Sequence, residues 1–295
     1  MKKRVAFVIN PKSGSDRKTD RVALIRSLLS DDYDATIFEW NKVEDSHFIF
    51  KTVIDGEFDI AVAVGGDGTV SQLASALSGS NTALGIVPFG SGNGLARHLQ
   101  IPLDPKGAMH LIATGVVRSI DKGNVNGHDF FCTSGTGFDA RIGKLFAEST
   151  KRGFWTYTKL TLREYASYSH ESYELHLDDQ IIQRDAFLIT TANAGQYGND
   201  AWIAPEASVT DGQLRVVILK PFHWWHLLGI ATKMFRKKMH TSKFIETHTA
   251  KNIRIVRKER GAAHHDGEPA ELDADLTITV TPACLKVVVN ENFKG

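Results

Sequence analysis

Asp67, Asp139, Asp211 and Glu268 are the carboxylates whose settings in this sequence suit chemistry, and the sharpest setting is Gly65-Gly66-Asp67-Gly68-Thr69. Glycines let a backbone turn sharply and approach a ligand, and Thr69 with Gln72 three residues on reads as a capping box that opens the next helix. A helix N-terminus behind a glycine turn is an anion site. Asp67 would repel a bare phosphate there, so either a divalent cation stands between them or the carboxylate handles a proton. A plain strand-to-helix turn is the bland alternative. The dinucleotide fingerprint is not met, because Gly66-x-Gly68-x-x-Ser71 lacks the third glycine. Nor is a P-loop, because Gly85 and Gly90 are followed by Ser91-Gly92 where Lys and Ser or Thr are required.

Two further loops repeat the arrangement. Pro88-Phe89-Gly90-Ser91-Gly92-Asn93-Gly94 precedes the helical segment Leu95 to Leu99, and Asn10-Pro11-Lys12-Ser13-Gly14-Ser15 ends the first apolar run. The elements that must hold these loops are short apolar runs alternating with helix-period segments over the first 120 residues. Arg4 to Asn10, Ala35 to Trp40, Phe58 to Val64 and Ala83 to Val87 read as strands. Arg21 to Leu29, Asp45 to Ile54, Val70 to Leu77 and Leu95 to Leu99 read as helices. That alternation implies a parallel sheet flanked by helices, with the nearly all-apolar Phe58 to Val64 strand near its middle. Loops at the carboxyl ends of parallel strands converge on one crevice, where open α/β sheets bind ligands.

After Val116 the pattern changes to strands broken by Gly, Asn and Asp, with helical interruptions at about 139–170 and 221–238. Tyr173 to Leu177, Ala186 to Ala192, Leu214 to Leu219, Ile253 to Val256 and Leu276 to Val280 indicate a β-rich, mostly antiparallel second domain. The expected division is 1–121 with 281–295 against 122–280, the two domains tightly joined with a cleft between them. At 295 residues, 42% hydrophobic and 23% charged, the chain is of ordinary globular composition. Its 35 Lys and Arg against 34 Asp and Glu give no global electrostatic case for nucleic acid. Two cysteines, Cys132 and Cys284, make neither a zinc cluster nor a disulfide framework, which fits a reducing cytosol. The apolar run after Met1-Lys2-Lys3-Arg4 stops at Asn10-Pro11 and reads as a strand, not a signal peptide. No stretch has the length of a membrane helix, so contact with lipid is expected at the membrane surface.

Together these residues resemble the diacylglycerol kinase catalytic-domain family, which includes bacterial lipid kinases, sphingosine kinases and ceramide kinases. The resemblance runs through Asn-Pro-Lys-Ser-Gly at 10–14, Gly-Gly-Asp-Gly-Thr at 65–69, Gly-Ser-Gly-Asn at 90–93 and Gly137-Phe138-Asp139-Ala140. It continues through Ala204-Pro205-Glu206-Ala207, Asp211-Gly212-x-Leu214 and Asp266-Gly267-Glu268-Pro269. It implies an ATP-binding α/β domain, a β-rich lipid-binding domain and a final strand, about Leu285 to Val289, returning to the first. It also implies a Mg²⁺-dependent transfer from ATP to the hydroxyl of a diacylglycerol-like or sphingoid-like lipid. By the same resemblance ATP lies across Asn10, the loop Gly65, Gly66, Asp67, Gly68 and Thr69, and Ser91, Gly92 and Asn93. Glu268 becomes the leading general base, with Asp67 as the second catalytic carboxylate. Asp211, with the carbonyls of Ser208 and Gln213, is placed at a structural Mg²⁺. Ser71-Gln72 stands where many members have Asn-Glu, and Asn93-Gly94 where bacterial members commonly have Asn-Asp. The acceptor lipid stays open.

Weaker features have simpler readings. Asp266-Gly267 alone is a strong hairpin signal. His264 and His265 point to opposite faces of an extended chain and make a poor metal pair. Asp139 reads as a helix N-cap, with a contact to a lipid hydroxyl as the alternative. Trp224, Leu227, Leu228, Ala231, Met234 and Phe235 form a helical stripe beside Lys233, Arg236, Lys237 and Lys238. Such stripes mostly cover a core, and the alternative is peripheral contact with an anionic membrane at the inner face of the cell. The rival functions are a soluble kinase of the NAD-kinase type and a non-catalytic lipid sensor. The oligomeric state, a homodimer included, is not written in the residues.

Overall fold

The computed structural model describes residues 2–11, 20–29, 33–42, 45–148, 154–165 and 167–295. The chain divides into one unit of Met1–Asp121 with Ala283–Gly295 and a second of Lys122–Pro282.

In the first unit the order is β1 (Lys3–Ile9), α1 (Arg21–Leu28), β2 (Tyr33–Glu39), α2 (Asp45–Asp55), β3 (Ile60–Gly65), α3 (Asp67–Leu77), β4 (Ala83–Pro88), α4 (Gly94–His98) and α5 (Pro105–Thr114). The strands lie in the order β2-β1-β3-β4, all parallel, and the strand that ends the chain lies parallel to β4 through Val287 and Leu84. All six residues of β3 and of β4 are buried, because helices cover both faces. Burial on that scale, at about 1.5–3 kcal/mol for each fully buried Val or Ile side chain, makes these two strands the stiff part of the unit. Their carboxyl ends carry the two glycine loops.

The chain crosses between units along β5 (Val116–Val125) and again along β16 (Asp275–Val289). At the second crossing Ala283 takes a left-handed φ of 49°. Its amide donates to the carboxylate of buried Asp121, at 2.7 Å.

The second unit holds β6 (His128–Phe130), β7 (Thr133–Gly137), α6 (Phe138–Glu148), α7 (Phe154–Tyr165), β8 (Glu171–Leu177), β9 (Gln180–Ala186), β10 (Leu188–Ala192), β11 (Leu214–Leu219), α8 (Leu227–Phe235), β12 (Ile245–Ala250), β13 (Asn252–Val256), β14 (Gly261–His265) and β15 (Glu268–Leu272). One antiparallel sheet runs β12-β11-β10-β7-β14-β15. A second joins the first part of β16 to β13, β8 and β9. Alternate residues of both, among them Leu175, Ile189, Val216, Ile255 and Ile278, interdigitate in a core, so the unit is a sandwich.

Two local expectations are corrected. Thr69 does not cap α3. The helix already begins at Asp67 behind Gly66, and the Val70 amide donates to the Gly66 carbonyl at 3.1 Å, so Thr69 lies inside the first turn with its side chain buried. The stripe around α8 does not face one way. Ile230 is buried and Met234 packs against the same core, whereas Trp224, Trp225 and Leu228 are 68%, 57% and 79% exposed. At 100° per residue, positions 230 and 234 fall on one side of α8 and 228 on the other.

Candidate active site

Three strand ends meet in the first unit, and side chains tie them together. Asn10, after β1, donates through its amide to the Thr69 hydroxyl at 3.2 Å, while its own backbone amide donates to the Val64 carbonyl of β3 at 3.1 Å. The Arg21 guanidinium, buried, donates to the Asn10 carbonyl and lies over the Phe89 ring, 4.6 Å from its centre. Phe89, after β4, donates its amide to the Gly65 carbonyl at 2.7 Å. Lys12, Ser13, Gly14 and Ser15 of the first loop lie outside the described residues.

Asp67 is the strongest tie. Its Oδ2 accepts the Asn93 amide at 2.9 Å and its Oδ1 the Gly94 amide at 2.7 Å, so one carboxylate from the 65–69 loop caps the start of α4 in the 90–94 loop. Asn93 adopts a left-handed conformation and closes its own loop, exchanging two 2.9 Å bonds with the backbone of Gly90. A Cβ on Gly92 would stand 2.9 Å from the Asp67 Oδ2, and one on Gly90 2.6 Å from the Asn93 Oδ1, so side chains are excluded where the carboxylate enters. A cation or a proton would each account for an acid among phosphate-type loops, and the geometry adds a third reason: two backbone N–H dipoles balance its charge. Gly65, Gly66, Gly68, Thr69, Ser91 and Gly92 all belong to this assembly, and Ser91 is the exposed residue at its edge.

Glu268 opens β15, one residue beyond the Asp266-Gly267 turn. Both turn residues have positive φ, 48° and 79°, the two-residue hairpin geometry whose twist matches the strands. The Asp266 carboxylate accepts three backbone amides, Phe131 at 2.9 Å, Cys132 at 2.7 Å and Thr133 at 3.1 Å, and the Asp266 amide donates to the Thr133 carbonyl at 2.8 Å. The turn is thereby bolted to the segment between β6 and β7, and Glu268, half-buried, stands on a rigid mount. Its partner across the hairpin is His265, which stacks on His128 with ring centres 4.9 Å apart. Burial, then the neighbouring His128 and His264, lower the His265 pKa from 6.5 to about 4, so this imidazole is neutral at pH 7.

Asp139 is not an N-cap, because α6 begins one residue before it. Its Oδ2 accepts from the Tyr197 hydroxyl at 2.9 Å and the Thr190 hydroxyl at 3.2 Å and lies 3.2 Å from the His264 Nε2. A Cβ on Gly135 would sit 2.6 Å from that Nε2 and 2.7 Å from that oxygen, so the glycine makes room for the pair. His264 and Asp139 are thus a buried couple from separate elements, a grouping no spacing in the sequence signals.

The described side-chain contacts of Asp211 are with the protein itself. Its Oδ1 accepts the Gln213 amide at 3.0 Å and its Oδ2 is paired with the Arg215 guanidinium at 2.7 Å. A guanidinium thus supplies positive charge beside this carboxylate. Among the described residues no group of three or more His, Cys, Asp or Glu side chains is placed to hold a metal.

Comparison with known proteins follows the same division. Residues 4–125 match the family described as the diacylglycerol kinase catalytic domain, and residues 133–289 the YegS C-terminal NAD kinase beta sandwich-like domain. The chain is 26% identical over 275 residues to a diacylglycerol kinase of Bacillus subtilis, covering 90% of each. It is 30% identical over 221 residues to a Pectobacterium atrosepticum protein named "Probable lipid kinase YegS-like", covering 72% of this chain and 73% of that one. A solved diacylglycerol kinase structure from Bacillus anthracis superposes with a TM-score of 0.76 at 20% identity over 99% of this chain and 98% of the other, a likeness of fold. The α/β unit and the β-sandwich thus match the two parts of one family, and the chain belongs to the diacylglycerol kinase catalytic-domain family.

Proposed function

We propose that the protein transfers the γ-phosphoryl group of ATP, delivered with Mg²⁺, to the hydroxyl of a diacylglycerol-like lipid. The observation that carries this reading is the Asp67 tie, which holds two glycine loops in one arrangement at the ends of buried parallel strands. Phosphoryl transfer depends on positioning and electrostatics more than on covalent help from the protein, so a stiff loop assembly is the part such an enzyme needs most. Asn10, the 65–69 loop and Ser91 to Asn93 form the nucleotide side in this proposal. The N-terminus of α3 faces the phosphates, and Asp67 holds the second loop in register while its remaining lone pairs face the Mg²⁺ that arrives with ATP. That ion neutralises charge on the phosphoryl oxygens.

Glu268 acts as general base. Its carboxylate takes the proton of the lipid hydroxyl as the hydroxyl oxygen bonds to the γ-phosphorus, and the bond from that phosphorus to the β–γ bridging oxygen breaks to release ADP. His265, opposite it on the hairpin, is neutral at pH 7. The curated relatives named diacylglycerol kinase favour a diacylglycerol-like acceptor over a sphingoid one. The test is incubation of purified protein with radiolabelled ATP and Mg²⁺ in mixed micelles of diacylglycerol, sphingosine or ceramide, with NAD as a soluble arm. Label in phosphatidic acid is expected. Label in NADP alone would replace this reading with a soluble kinase, and no transfer to any acceptor would favour a lipid sensor.

A further inference from the structure

A surface of the second unit outside these sites combines exposed aromatic groups with uncompensated positive charge. Trp224 and Trp225 form a helical turn before α8, their rings 6.1 Å apart and nearly perpendicular, and Leu228 follows one turn later, 79% exposed. Contiguous exposed apolar side chains mark a surface that meets something other than water, and indoles suit a boundary that is apolar on one side and wet on the other. The inner side of the same helix is anchored, with Ile230 buried and the Met234 carbonyl accepting the Trp202 amide at 3.2 Å. The outer side is therefore presented on a fixed support.

Along the sequence, the charge in this stretch has one sign. Residues 212–245 contain seven Lys and Arg and no Asp or Glu, in a chain whose totals are 35 Lys and Arg to 34 Asp and Glu. Some of these cations have protein partners. Lys237 lies over the Trp202 ring at 4.0 Å, Lys220 pairs with Glu246 and Arg215 with Asp211. Arg236 and Lys238 are exposed and have no ion pair among the described residues. An open hollow of about 320 Å³ beside the helix is lined by His226, Lys233, Thr241, Ser242 and Lys243, again without an acid.

We infer that this face docks on an anionic bilayer, with Trp224, Trp225 and Leu228 entering the boundary between headgroups and acyl chains and the surrounding cations meeting lipid phosphates. Aromatic side chains at that depth beside Lys and Arg are the composition of an interfacial helix. The exposed Arg236 and Lys238 beside the indoles, unpaired among the described residues, select an anionic membrane over an apolar protein partner, which would not call for exposed cations there.

The experiment needs neither ATP nor acceptor, so its outcome is separate from that of the kinase reading. The whole protein is sedimented with vesicles of phosphatidylcholine alone or mixed with phosphatidylglycerol, and tryptophan emission is recorded with them. Expected are binding to the mixed vesicles only, weakening with added salt, and a blue shift of the emission. Arg236→Glu and Lys238→Glu should each lower partitioning about fivefold or more, at about 1 kcal/mol per basic residue. Leu228→Glu should abolish the blue shift while leaving the far-ultraviolet circular dichroism and melting temperature unchanged. Equal binding to neutral vesicles, no binding at all, or a concentration-dependent dimer abolished by Leu228→Glu with vesicle binding intact would overturn the inference, the last assigning the face to a second copy of the chain.

Discussion

Asp67 spends both carboxylate oxygens on backbone amides, and that decides what its substitution does. In Asp67→Asn one oxygen becomes an NH₂ group facing an N–H, so a bond is lost and a repulsion gained. Turnover should fall by on the order of 10² or more, and stability by about 2 kcal/mol for the lost charge-assisted bond. Steady-state kinetics and calorimetry on one preparation read both. Full activity with a lowered melting point would confine Asp67 to tying the loops. Glu268 should behave differently, because the turn that carries it is held by the Asp266 carboxylate. Glu268→Gln is expected to lower kcat by roughly 10² to 10⁴ with little change in nucleotide affinity. An affinity loss at preserved kcat would make it a positioning residue instead.

At the scale of elements, the turn before β11 is held by an internal ion pair. Arg215 lies in β11 and reaches back four residues to Asp211, with both side chains mostly buried. Such a pair does what a bound cation would do for the turn, without dependence on metal concentration. Asp211→Ala should therefore cost about 1–2 kcal/mol of stability equally in Mg²⁺ and in EDTA, since ligand binding adds stability only where a site exists. A larger loss in Mg²⁺ than in EDTA, read from melting temperatures, would restore a metal to this turn. The β14–β15 hairpin shows the same economy. A two-residue turn, three amides on Asp266 and the cross-strand pair of His265 with Glu268 fix a carboxylate with very little chain.

At the scale of the whole molecule, acid should act in two stages. His265 is depressed from 6.5 to about 4, so the unfolded chain takes up its proton first, and stability present above pH 6.5 is lost as pH falls towards 4. Glu246, held down from 4.5 to about 2 chiefly by Arg184 and also by Lys220 and His248, adds stability above pH 4.5 that is lost as pH falls towards 2. Urea titrations across this range should show a His265→Gln variant losing the first stage and keeping the second; an unchanged first stage would assign it to another group. The alternation of apolar runs and helix-period segments, the buried central strand, the glycine loops and the Asp-Gly hairpin were all legible in the residues, because each depends on local periodicity or on backbone freedom within a few positions. Tertiary structure decided which groups meet. Asp67 reaches 26 residues on to Asn93, Asp266 reaches Phe131, Asp139 finds His264, and the helix around Leu228 turns some apolar side chains inward and others out. Those outcomes depend on strand order and on the direction in which each side chain leaves its element, and neither is contained in a window of neighbouring residues.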